Sequence, residues 1–115
     1  MQHNMKLQSE ILNRILELLE AEVNHNYQTL SCTFVPIGDC GEKTAETTFF
    51  YKRNGTEINA GLSNENIFEL VDLAVDLQAI MKAHTGGEWS EFLLEVDENR
   101  KVDTKYKYPP LALST

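Results

Sequence analysis

The spacing of hydrophobic positions changes along the chain, and each change marks an element. Leu7, Ile11, Ile15, Leu18 and Leu19 recur at helical spacing, with Glu10, Asn13, Glu17 and Glu20 on the opposite side. Residues 7–23 therefore read as an amphipathic helix, with residues 24–26 as its stop. Over residues 28–35 the period drops to two. Leu30, Cys32 and Phe34 share one side of a strand, which Pro36 is expected to end because it has no N–H for a ladder. Residues 38–43 form a polar loop. Residues 46–60 carry the sharpest local signal: Phe49-Phe50-Tyr51-Lys52 runs into Arg53-Asn54-Gly55-Thr56. Asn-Gly at that point favours a two-residue type I′ hairpin turn. Lys52 then faces Glu57 and Tyr51 faces Ile58, both chemically matched pairs.

A second helix begins at Ser63, a good N-cap with Glu65 in the first turn. It runs to about His84 and stops at Gly86-Gly87. Ile67, Phe68, Leu70, Val71, Leu73, Ala74, Val75, Leu77, Ile80 and Met81 make most of its circumference apolar. It is expected at the centre of the domain, with Ile67, Val71 and Ala74, or neighbours one position along, against the core. Residues 89–108 read as a final hairpin. A loop at Glu98-Asn99-Arg100 pairs Val96 with Val102, Leu94 with Thr104 and Phe92 with Tyr106 on one face. The other face is charged, with Glu91 opposite Lys107 and Asp97 opposite Lys101. Such a loop usually has Gly at its third position, where this chain has Arg100. The order helix, strand, hairpin, helix, hairpin predicts an α+β fold: an antiparallel sheet of about five strands against two helices.

Composition adds bounds. The 115 residues fit one domain spanning residues 1–115, which can bury roughly two-thirds of its unfolded surface. Eighteen acids against 10 bases give a formal charge of −8. That balance argues against nucleic acid or an anionic membrane as partner, since both need clustered Lys and Arg. No stretch reaches the roughly 18 apolar residues of a membrane helix. Residues 1–6 lack the basic-then-apolar plan of a secretory signal. A cytoplasmic protein is expected, with Cys32 and Cys40 as reduced thiols.

The chain offers little chemistry. His3 stands near the terminus, His25 in a helix-ending turn and His84 at a helix end, where a cation favours the dipole. A Cys32–His25 thiolate pair has no local pattern to support it. Cys32 and Cys40 are too far apart for a zinc knuckle. Asp39, Glu42 and Glu46 do not follow a calcium-loop pattern, and Gly38 and Gly41 do not form a phosphate loop. Trp89 reads as a core or sheet-edge anchor. The expectation is a protein with no catalytic residues, no metal and no cofactor.

Charge placement says more. Glu65, Glu69, Asp72 and Asp76 follow i, i+4, i+7, i+11, which puts all four on one face of the second helix, against only Lys82 in residues 63–85. They form either a solvated face or an acidic ridge for a basic partner. Asp39, Glu42 and Glu46 are a second candidate cluster. The acids of the last hairpin lie beside Arg100, Lys101, Lys105 and Lys107, so that hairpin largely neutralises itself.

Several of these features together resemble the YezG-like immunity proteins: Phe49-Phe50-Tyr51-Lys52, the long acidic-faced helix, Trp89 beyond its end, and a closing hairpin ending Tyr106-Lys107-Tyr108. The resemblance covers residues 44–108 and is most specific over 89–108. The chain departs from the pattern at Arg100, in place of the usual turn glycine, and over residues 24–43. The resemblance implies a bacterial immunity protein, or antitoxin, that binds the C-terminal domain of a cognate toxin. Such domains are often nucleases with basic clefts, which an acidic, non-catalytic domain suits. Two rivals stand beside it: a dimeric adaptor that self-associates through apolar surface on the second helix, and a small enzyme or ligand-binding domain with a deep polar pocket.

Overall fold

The computed structural model describes residues 2–38 and 44–109. The elements are α1 (Gln2–Glu22), β1 (Thr29–Ile37), β2 (Thr44–Arg53), β3 (Thr56–Ala60), α2 (Asn64–Thr85), β4 (Glu91–Val96) and β5 (Val102–Lys107). All five strands form one antiparallel sheet in the order β3-β2-β1-β4-β5. The fold is α+β, with two helices and five strands in the order anticipated.

Both hairpin registers match the sequence expectation residue for residue. Lys52 pairs with Glu57 and Tyr51 with Ile58 across a turn whose Asn54 (φ 52°) and Gly55 (φ 77°) are both left-handed. Positive φ at both central residues defines the I′ turn, and Asn-Gly tolerates it best. In the last hairpin Phe92 pairs with Tyr106, Leu94 with Thr104 and Val96 with Val102. Arg100 takes the left-handed position usually given to glycine (φ 64°). Asp97 organises this loop. Its carbonyl accepts from the Arg100 N–H (3.0 Å), and its Oδ1 accepts from Asn99 N–H (2.8 Å) and Lys101 N–H (2.9 Å).

Two expectations need correction. Pro36 does not end β1; the strand continues to Ile37, with Pro36 opposite Ala45. β4 pairs only with Leu30 to Phe34, so at Pro36 one edge of β1 has no ladder that needs the missing N–H. The first helix begins at Gln2 rather than Leu7, which places His3 within it.

The helices share one face of the sheet. Ile15, Leu18, Leu19 and Val23 from α1 and the turn after it, and Leu70, Ala74, Leu77 and Met81 from α2, join Leu30, Cys32, Phe34, Phe49, Phe92, Leu94 and Val96 in one core. Trp89 is fully buried, its ring centroid 5.7 Å from Phe92 and 5.9 Å from Tyr106. It is the core anchor expected. Ile67 and Val71 lie half-buried at the margin, and the innermost line of α2 is Leu70, Ala74, Leu77 and Met81. That line sits one position along from Val71. Gln78, buried in the same line, donates from Nε2 to the Trp89 carbonyl (2.6 Å) and ties the helix to the approach to β4.

Both hairpin turns reach the connection after α1. Arg53 donates from Nε to the Asn26 carbonyl (2.9 Å) and from Nη2 to the Val23 carbonyl (3.2 Å), a cationic cap on the carbonyl end of α1. From the other hairpin, the Arg100 guanidinium lies over the Tyr27 ring, 4.1 Å from its centroid.

Candidate partner-binding surface

Local sequence fixes how α2 sits. Ser63 is extended (φ −64°, ψ 151°), and its Oγ accepts from the Asn66 N–H (3.4 Å), the N-cap arrangement. The Ser63 N–H in turn donates to Glu22 Oε1 (2.6 Å), so a carboxylate from the end of α1 sits at the positive start of α2. At the far end Gly86 is left-handed (φ 80°) and donates to the Lys82 carbonyl (2.7 Å). With both ends held and the Leu70–Ala74–Leu77–Met81 line turned inward, helical geometry turns Glu65, Phe68, Asp72 and Asp76 outward, and all four are exposed.

Glu69 does not belong with them. It lies on the flank facing α1, where Arg14 donates from Nε to Glu69 Oε2 (2.6 Å) and from Nη2 to Oε1 (3.0 Å). This fork-to-fork pair holds the Glu69 carboxyl below its ordinary pKa, first through the Arg14 hydrogen bonds and then through its charge. A ridge of four unbalanced acids is therefore corrected to three. Counting charge within residues 63–85 could not register a cation from another helix. Among the described residues, no cation lies within ion-pair distance of Glu65, Asp72 or Asp76.

The residue that sequence reasoning missed here is Phe68. It leaves 72% of its surface in water, the most of any large apolar side chain described. The helix is apolar around most of its circumference, so hydrophobicity alone did not show which apolar residue faces out. The usable signal was position: Phe68 stands three residues after Glu65 and four before Asp72, on the acidic side.

Of the second acidic cluster only Glu46 is described, and it is not brought to this surface. Glu46 is exposed on β2, opposite Val35, and alternation from the buried Phe49 puts it on the sheet face away from the helices. Asp39, Glu42 and Cys40 lie outside the described residues. The last hairpin neutralises itself in part, through Lys105–Glu95 (3.2 Å) and Lys107–Glu91 (3.1 Å), with Asp103 left opposite Glu95.

The reactive-group candidates fall apart. Cys32 is a free thiol buried in the core, and burial pushes its pKa far up, which makes it a poor nucleophile. His25 is exposed in the left-handed turn after α1 (φ 57°), and His84 is exposed near the end of α2. Among the described residues no three His, Cys, Asp or Glu side chains are grouped to hold a metal ion. No helix among them is long and apolar enough to cross a membrane. No family model and no curated protein sequence matches this chain.

Proposed function

We propose that this chain is an immunity protein that binds a basic toxin domain through the outward face of α2. The observation that supports this most is an exposed aromatic, Phe68, set among Glu65, Asp72 and Asp76 on a helix whose other face is buried. Unpaired carboxylates attract a cationic cleft and speed encounter, while an aromatic that becomes buried supplies affinity that charge alone does not. The chain's charge of −8 acts in the same direction over longer range. On the resemblance, the partner is the C-terminal domain of a toxin, acting in the same compartment as this chain.

The dimeric-adaptor reading calls for a broad apolar patch on α2. Phe68 is the one large apolar side chain of that helix that is exposed, which is small for self-association.

The test is co-expression with the C-terminal domain of the protein encoded by the neighbouring gene, which this reading requires to be a toxin. Rescue of growth together with co-purification is the expected result. Loss of both, with each protein folded, ends the reading. Where a complex forms, reversing Glu65, Asp72 and Asp76 to Lys should slow association about tenfold or more at low salt and much less at high salt. Unchanged kinetics would move the interface off α2.

A further inference from the structure

Both helices lie on one face of the sheet, and the opposite face is uncovered among the described residues. The strand registers align one row of side chains across that bare face: Asn59 of β3, Phe50 of β2, Ser31 of β1, Glu95 of β4 and Asp103 of β5. Towards the hairpin turns the face forms a half-open cavity of about 560 Å³, lined among others by Phe50, Ser31, Glu95 and Asp103, with Glu57 and Asp97 also contributing. That volume is within the range of about 300–1,000 Å³ that ligand sites occupy.

The charges in the cavity do not balance. Glu95 and Asp103 are directly opposed across β4 and β5, and like charges in that relation, with Cβ atoms about 5 Å apart, destabilise a sheet. Lys105 meets Glu95 at 3.2 Å, Lys52 stands opposite Glu57 across β2 and β3, and Lys101 lines the cavity. Three ammonium groups on this face therefore meet the four carboxylates of Glu57, Glu95, Asp97 and Asp103, and among the described residues Asp103 is left without one. Asp97 is committed to its loop through two N–H groups. Phe50 is half-buried on the floor, and among the described residues it has no ring or cation partner. Ser31 separates Phe50 from Glu95, so two strand spacings, about 9.6 Å, lie between an aromatic and a carboxylate pair with only a small side chain between.

We propose that this face receives an arginine-bearing segment of a partner polypeptide. The arginine stem crosses Ser31 against Phe50, and the planar guanidinium bridges Glu95 and Asp103. A guanidinium presents a planar, weakly hydrated fork of donors preorganised to serve two carboxylates at once, whereas an ammonium is a strongly hydrated point charge without that fixed geometry. The site lies on the opposite side of the sheet from α2, so it does not rest on the function proposed above.

The probe is the blocked tripeptide Ac-Gly-Arg-Gly-NH2, titrated into the full chain and followed by amide chemical shifts. Saturable shifts at Ser31, Phe50, Glu95 and Asp103 are expected, in the millimolar range. The citrulline version should give none, and the lysine version should bind more weakly. Asp103→Asn removes one member of the like-charged pair, so the fold should be kept while affinity falls about tenfold. Asp72→Asn, on the other side of the molecule, should leave the titration unchanged. The proposal fails if no shifts appear, if they map to α2, if citrulline or lysine matches arginine, or if a folded Asp103→Asn binds as before.

Discussion

Helix α2 and the β4–β5 hairpin are both rich in acid, yet they carry that charge in opposite ways. In the hairpin two carboxylates have lysine partners, Glu91 directly across the ladder at Lys107 and Glu95 diagonally at Lys105, while Asp103 stands opposite Glu95. On α2 a helical neighbour is three or four residues away, and at that spacing Glu65, Asp72 and Asp76 have no Lys or Arg. An acidic count thus says little about surface potential until each carboxylate is assigned its neighbours across elements. Glu69 carries the same lesson within α2, because α1 supplies its partner Arg14.

The largest effect that sharpens the contrast is on the hairpin's inner face. Phe92 is fully buried and stacked between Phe34 (5.6 Å) and Tyr106 (5.0 Å). Phe92→Ala should cost about 3–5 kcal/mol in urea unfolding. A loss under about 1 kcal/mol would mean that the hairpin is not part of the core.

Phe68 on α2 should behave in the opposite way. Phe68→Ala should alter stability by less than about 0.5 kcal/mol. If α2 is the interface, the same change should weaken partner binding by about 2 kcal/mol or more, as expected for a buried anchor. Calorimetry of folding and of binding on one variant separates the two. Lost stability with intact binding would reverse the assignment.

A smaller effect concerns Arg100. Glycine there removes a left-handed penalty of about 1 kcal/mol but also a cation–π contact worth about 0.5–1 kcal/mol. Arg100→Gly should thus move stability by less than about 0.5 kcal/mol. Arg100→Ala keeps the strain, loses the contact and should be the less stable of the two by about 1 kcal/mol. Equal midpoints in urea would remove Tyr27 stacking from the account.

The smallest effect is on pH dependence. Arg14 lowers the folded-state pKa of Glu69, so the unfolded state binds that proton more readily. The pair's contribution is therefore present above the unfolded carboxyl value of about 4.3 and is lost as pH falls through the folded value. Arg14→Gln should make the acid limb of the stability curve shallower below about pH 4.3 and leave the slope near neutrality alone. An unchanged acid limb would show that the pair does not persist in solution.

Most of the fold was legible because its strongest signals are local. Asn54-Gly55 set one register through its turn. Alternation of Phe92, Leu94 and Val96 against Val102, Thr104 and Tyr106 set the other, even with arginine at the turn. Ser63 and Gly86 bounded α2. What the sequence did not carry was non-local. Pro36 is tolerated because β4 stops at Phe34, and Glu69 is neutralised from α1. The row from Phe50 to Asp103 exists only once three strand registers are known together.

The strand order also bears on how the sheet is assembled. β1, β2 and β3 are consecutive and meet through short connections, but the centre of the sheet is closed by β4, and Leu30 finds Val96 more than half the chain away. Closing so long a loop is slow relative to forming adjacent hairpins. Until it happens, β1 presents a bare edge whose buried side chains are Leu30, Cys32 and Phe34, the kind of template that recruits other chains. During synthesis that edge waits for the last hairpin to emerge, so yield of soluble protein should depend on chain concentration and on elongation speed before the finished domain's stability matters. Pulsed hydrogen exchange during refolding should show β2 and β3 amides protected ahead of those shared by β1 and β4.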